Sequence, residues 1–146
     1  MKIAILKERR DNETRVAGSP EVVKKLIDLG FQVAVEKDAG HGTSFTDGAF
    51  KDAGASIAGS AAAAITGADA LHPGYGFLSE SATLAEACQA ADVVFIGPPP
   101  HVLHLLGDKA RARRVMQAAG LQVVPGTESF DDPGEGARLA KALGFP

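Results

Sequence analysis

Two stretches of this sequence carry residues that could bind a ligand: residues 72–80 (HPGYGFLSE) and Lys109. An apolar run at 68–71 precedes the first stretch and a helix-forming run follows it, which predicts a strand, a tight loop and a helix start. In a parallel α/β sheet such loops lie at the carboxyl ends of strands, where ligands bind. Lys109 lies near a predicted helix start, where a lysine can bind phosphate as a point charge; the alternative is a solvated surface lysine.

The histidines and the single cysteine give weaker signals. His101 and His104 lie three positions apart without an acidic or cysteine neighbour, so the sequence predicts no metal site. Cys88 lies among alanines in a helix-forming stretch, which predicts a buried structural thiol. A basic cluster on one predicted helix lacks interleaved aromatic residues, so we expect a solvated face and no nucleic-acid partner; it comprises Arg111, Arg113 and Arg114.

Predicted strands alternate with predicted helices along the chain. Apolar runs predict strands at 3–6, 31–35, 68–71, 92–96 and 122–124, and either a weak strand or a turn at 55–58. Ser19-Pro20 predicts a helix start and Gly30 its end. Other capping residues predict helices beginning near 46, 60, 79 or 81, 108 and 133.

This alternation predicts an α/β fold of three layers with a mostly parallel sheet, flavodoxin-like or Rossmann-like. If one sheet unites the strands, we expect a single core. That core would contain Ile5, Val33, Leu71 and Phe95.

The second part of the chain, about residues 67–146, resembles the amino-terminal part of biotin carboxylase, the carboxylase component of acyl-CoA and pyruvate carboxylases. The resemblance rests on HPGYGFLSE at 72–80, FIGP at 95–98, LGDKARA at 106–112 and ALGFP at 142–146. It implies a fold like the amino-terminal domain of biotin carboxylase, with ATP, Mg²⁺ and biotin as ligands of the parent family. It also implies an ATP contact at Lys109 and a loop approaching biotin at Tyr75 and Gly76; the alternative is that this loop only turns the chain.

The first part, about residues 1–66, resembles the amino terminus of the NAD(P) transhydrogenase α subunit and of alanine dehydrogenase. The shared segments include NETRVA at 12–17, SPEVV at 19–23 and AGA at 53–55. The resemblance implies that Arg15 binds a substrate carboxylate, for which an arginine has suitable bidentate geometry. A partner lysine of that family has no counterpart here, so a surface ion pair is the alternative role for Arg15.

Composition limits the possible classes of protein. The chain has 146 residues, of which 45% are hydrophobic, so we expect one domain with its own core. The net charge of −3 favours neither nucleic acid nor an anionic membrane as partner. No apolar run approaches the length of a membrane span and no signal peptide is evident, so we expect a cytoplasmic protein.

The two resemblances predict a chimera: one α/β domain built from residues 1–66 and 67–146, in which 107–146 could form a separate helical tail. We expect an engineered or recombinant scaffold without autonomous catalytic activity and without a cofactor. The alternative is a fragment of a biotin-dependent carboxylase that keeps some nucleotide or phosphate binding and needs a complementary ATP-grasp chain. We expect no obligatory partner, but the apolar faces of the last helices predict either folding back or a homodimer.

Overall fold

The computed structural model describes residues 1–144. Five strands form one parallel sheet: β1 (Lys2–Ile5), β2 (Gln32–Glu36), β3 (Ser56–Ala58), β4 (Ala70–His72) and β5 (Val94–Phe95). Their order is β3-β2-β1-β4-β5, and every pairing is parallel. The helices are α1 (Pro20–Asp28), α2 (Asp47–Asp52), α3 (Ala61–Ile65), α4 (Ala82–Ala90), α5 (Pro100–Leu106), α6 (Lys109–Ala118) and α7 (Pro133–Ala142). The predicted Rossmann-like α/β fold is therefore confirmed.

Side-chain caps fix the helix starts that the sequence predicted. The Ser19 hydroxyl accepts the Val22 N–H at 3.3 Å, with Pro20 in the first turn, and Gly30 follows α1 at φ +90°. Thr46, Ser60 and Asp108 cap α2, α3 and α6 in the same way. Of the two caps that the sequence offered for α4, Ser81 is the one used, because residues Phe77–Glu80 form a 3-10 turn.

The sheet buries a hydrophobic cluster on each face. Successive side chains of a strand point to opposite faces, so Ile5 joins Val33, Val35 and Phe50 in one cluster. Ala4 and Leu6 join Leu71 and Cys88 in the other, against which Phe95 packs. The expectation of one shared sheet is correct, but the expectation of one shared core is wrong because the strands alternate their side chains.

The chain divides into two compact units, residues 1–103 and residues 104–146. The described part of the second unit is helical, with irregular backbone over 121–130. The strand predicted at 122–124 is absent from this segment. Val124 is 82% exposed, so no packing partner supports a strand there.

Candidate functional site

The carboxyl ends of β1 and β4 bring two loops together. These strands are parallel neighbours, with Ile5 opposite His72, so the segments that follow them leave the same edge of the sheet. We call residues 6–18 the β1 loop and residues 73–81 the β4 loop. The sequence resemblances place the β1 loop with alanine dehydrogenase and the β4 loop with biotin carboxylase, yet the two are in direct contact.

Glu8 of the β1 loop is a buried carboxylate that binds the β4 loop. It is 9% exposed, and both its oxygens accept the Leu78 N–H at 3.2 Å. Burial raises the pKa of Glu8, while the Leu78 N–H and the nearby Arg15 oppose that rise. Sequence reasoning did not identify Glu8, because its partner lies 70 positions away.

Two glycines of the β4 loop allow this close approach. A Cβ at Gly76 would overlap the Glu8 carboxylate, and a Cβ at Gly74 would overlap Ala17. Gly74 also has φ +77°, a conformation that favours glycine. The spacing of these glycines was the available sequence signal for a tight contact, although it did not identify the contacting residues.

Arg15 of the β1 loop contacts the β4 loop, and its guanidinium group donates hydrogen bonds to residues of both loops. Its Nε donates to Glu13 Oε1 at 2.8 Å, and its Nη2 donates to Glu13 Oε2. Its Nη1 donates to the Tyr75 carbonyl at 2.9 Å. The hydrogen bond from Arg15 lowers the pKa of Glu13 to about 2. The bidentate edge that a substrate carboxylate would use is therefore held by Glu13, and the ion pair named as the alternative role is present.

Aromatic rings and guanidinium groups cover this contact. The Arg10 guanidinium lies 4.0 Å from the centre of the Phe77 ring, and Arg15 lies 5.6 Å from it. Arg15 is also 5.8 Å from the Tyr75 ring. Tyr75 itself is 85% exposed. Such stacking holds the guanidinium groups by cation–π attraction.

A second buried carboxylate fixes the start of the β1 loop. Glu36, at the end of β2, is 5% exposed and accepts the Lys7 N–H at 2.9 Å. It also forms an ion pair with Arg9. The β1 loop is thus attached to strand β2 through Glu36 and to the β4 loop through Glu8.

Lys109, in the second unit, is the first residue of α6. The Asp108 side chain caps that helix by accepting the Arg111 N–H at 2.8 Å, which lowers the pKa of Asp108. Lys109 is exposed and has no ion-pair partner within residues 1–144. It lines a cavity of about 510 Å³ that includes Arg113, Gly126 and Glu128. The cavity therefore offers one free cation beside an arginine.

Other predicted features of the described chain concern metals, thiols and membranes. Within residues 1–144, no group of three or more His, Cys, Asp and Glu side chains could hold a metal ion. Cys88 is buried, and burial raises the pKa of its thiol, which confirms the predicted structural environment. None of the helices in that range is long and apolar enough to cross a membrane.

Comparison with known families finds both resemblances. The sequence profile described as alanine dehydrogenase/PNT, N-terminal domain, matches residues 4–119. A biotin carboxylase of Nostoc sp. is 49% identical over 87 residues, covering 59% of this chain and 20% of that protein. These two matches overlap, because together they exceed the 146 residues of the chain.

Solved structures include a neighbour that matches nearly the whole chain. This neighbour is the biotin carboxylase domain of the Hydrogenobacter thermophilus 2-oxoglutarate carboxylase, solved with MgADP, ADP and bicarbonate. It is 28% identical to this chain, with a TM-score of 0.69. The match covers 99% of this chain and 33% of that domain. The Sinorhizobium meliloti transhydrogenase is 49% identical over 49% of this chain and 21% of its own, with a TM-score of 0.45. The chain spans between 7% and 20% of the length of the first curated relatives.

Proposed function

Because the chain belongs to the alanine dehydrogenase/PNT N-terminal domain family over residues 4–119, and also shares the biotin carboxylase fold, we propose a function that follows the biotin carboxylase half of this double resemblance. It acts as the amino-terminal α/β module of a biotin-dependent carboxylase, with a weak nucleotide-phosphate contact at Lys109. The observation that supports this proposal most is the agreement with the MgADP-bound carboxylase domain over 99% of the chain. A complementary ATP-grasp chain would supply the remainder of the nucleotide site.

The surroundings of Lys109 fit a phosphate in part. Its ammonium group is exposed and unpaired among the described residues, so it can approach an anion as a point charge. The N-terminus of α6 is already satisfied by the Asp108 carboxylate, which would repel a second anion. Arg113 packs against Gly126 and lies 3.7 Å from Glu128. We therefore assign the contact to the Lys109 side chain, and we expect it to be weak in this chain alone.

The β4 loop fits biotin through one of its two predicted residues. The exposed Tyr75 ring can stack on a planar ligand. Gly76 is buried and faces the Glu8 carboxylate, so its role in this chain is to admit Glu8. When bound, ATP would supply the phosphoryl group that activates bicarbonate and Mg²⁺ would neutralise phosphate charge; the residues of this chain would bind and orient these groups.

Titration with MgADP tests the nucleotide contact. Because the ammonium contributes the principal charge, we expect Lys109→Ala to weaken binding by about fivefold to tenfold, the effect of one exposed hydrogen bond of about 1 kcal/mol. Lys141→Ala removes an exposed lysine from α7 and is the matched control, with affinity unchanged. Equal affinities of the wild type, Lys109→Ala and Lys141→Ala for MgADP would contradict the assignment.

A second candidate function is that of a recombinant scaffold without autonomous turnover. The observation that favours it is the occupation of Arg15 by Glu13 and the Tyr75 carbonyl, which leaves its bidentate edge closed to a substrate carboxylate. Two rates test this: bicarbonate-dependent ATP hydrolysis with free biotin and Mg²⁺, and hydride exchange between nicotinamide nucleotides. We expect both rates of the wild type to equal the rates of a double variant that carries Lys109→Ala and Arg15→Ala. A wild-type rate clearly above that of the double variant would refute the scaffold role.

A further inference from the structure

The contact between the β1 loop and the β4 loop depends on one side chain, Glu8. We propose that Glu8 is the positioning residue of the β4 loop, and that its protonation state determines how tightly residues 73–81 are held. This role concerns residues 1–103 and needs no ligand, so it can be tested separately from nucleotide binding at Lys109.

The geometry singles out Glu8 among the contacts of the β4 loop. Its two carboxylate oxygens share the Leu78 N–H, each at 3.2 Å, and its side chain occupies the volume that a Cβ at Gly76 would need. The carboxylate is thus both a hydrogen-bond acceptor and the packing partner of this loop. The neighbouring hydrogen bond from Arg15 reaches the Tyr75 carbonyl, on the same loop.

The charges around Glu8 leave its ionised form poorly compensated. The β1 loop contributes Glu13, which opposes the ionisation of Glu8, and Arg15, which favours it. Arg15 forms its ion pair with Glu13, so it is shared between two carboxylates. In and beside the β4 loop, the titratable side chains are His72, Tyr75 and Glu80, and the loop offers Glu8 the N–H groups of Phe77 and Leu78.

Protonation and loop closure are therefore coupled in a defined direction. Burial raises the pKa of Glu8 in the closed loop, whereas an opened, hydrated Glu8 would titrate near the ordinary value of 4.5. The closed loop then binds a proton more tightly than the open loop. Closure is strongest below the ordinary pKa and weakens as the pH rises through the window up to the raised pKa. We expect the β4 loop to open more often as the pH approaches neutrality.

Hydrogen exchange of the Leu78 amide measures this coupling directly. After correction for intrinsic exchange, protection in the wild type should fall with rising pH, by up to about tenfold per pH unit within the window. Glu8→Gln keeps an oxygen acceptor without the charge, so its protection should be independent of pH. Glu8→Ala removes the acceptor, so its protection at acidic pH should fall by about tenfold, the factor for one such hydrogen bond.

Tyr75 supplies a second readout because the chain contains one tyrosine and no tryptophan. Its intrinsic fluorescence should change over the same pH window in the wild type and stay constant in Glu8→Gln. Glu80→Gln, which neutralises an exposed carboxylate of the same loop, is the control and should keep the wild-type profile.

Two results would overturn the proposal. One is a pH profile of Leu78 protection in Glu8→Gln that equals the wild-type profile. The other is wild-type Leu78 protection in a folded Glu8→Ala protein. Should Glu8→Ala not fold, the profile of Glu8→Gln alone decides, because that variant preserves the shape and the acceptor of the side chain.

Discussion

Residues 1–103 and residues 104–144 differ in what they bury. All the buried hydrophobic side chains of the described chain lie between Ile3 and Val93, on the two faces of the sheet. In the second unit, Gly136 is the one buried residue within the described range, while Phe130 and Leu143 are 45% and 50% exposed. Both units contain capped helices of similar length, so local helix signals do not explain the difference.

The comparison teaches that the sheet creates the core of this chain. A strand in a parallel sheet is covered on both faces, and residues such as Ile5 and Leu71 reach about 1% exposure or less there. Helices α6 and α7 have amphipathic sequences, but within residues 104–144 they have no sheet to cover. We propose that their apolar faces are covered by folding back or by a second copy of the chain; sedimentation across a concentration series distinguishes the two.

The largest contrast should come from two phenylalanines. Phe50 is fully buried and packs edge-to-face with Phe45, with ring centres 6.3 Å apart. We expect Phe50→Ala to reduce the free energy of unfolding by roughly 3–5 kcal/mol. Phe130→Ala, in the second unit, should cost about 1 kcal/mol or less, because its ring is half exposed. Chemical denaturation of both variants measures this, and equal costs would refute the contrast.

Alanine substitutions at two glycines, one in each unit, should change the free energy of unfolding by smaller amounts and in opposite directions. Gly74→Ala forces a side chain into a positive-φ position beside Ala17, so we expect a loss of about 1–3 kcal/mol of stability. Gly134→Ala places a methyl group in ordinary contact with Asp132 near the start of α7. A gain of about 0.5–1 kcal/mol is expected there. Thermal unfolding of the two variants tests this, and a stabilising Gly74→Ala would contradict the close packing of the loops.

The smallest effect should be a change in the pKa of one carboxyl group, Glu13, without a change in the pKa of another, Asp108. Glu13 should titrate at about 2, so its contribution to stability is complete above the ordinary pKa and is lost as the pH falls towards 2. Arg15→Ala should return the pKa of Glu13 towards 4.5. The lowered pKa of Asp108 should not respond, because its principal cause is the Arg111 N–H. Carboxyl carbon NMR reports both groups in one sample, and an unmoved Glu13 would show that Arg15 is not its partner.

The local parts of this structure could be predicted from the sequence, and the long-range parts could not. The Ser19-Pro20 start of α1 depends on neighbouring residues, so it appeared where predicted. The strand predicted at 92–96 shortened to Val94–Phe95, since Val94 is 61% exposed at the sheet edge.

The candidate site shows the same limit. Arg15 and Tyr75 were each identified from a family motif, but their contact spans 60 positions and depends on β1 lying beside β4. Glu8 carries no motif, and its burial follows only from that strand order. The sequence therefore supplied individual residues, whereas their combination required the topology.

The central claim is that segments resembling two different families form one cooperative sheet. Native-state hydrogen exchange tests it in Phe50→Ala, whose mutation site lies in the first segment. In the second segment, the Asp69 N–H donates to the Lys2 carbonyl of the first segment, and the N–H groups of Val94 and Ile96 donate to the carbonyls of Asp69 and Leu71. We predict that their opening free energies fall by the same amount as the global stability. Unchanged protection of these three amides in a destabilised Phe50→Ala protein would show that the two segments fold independently, which contradicts the account.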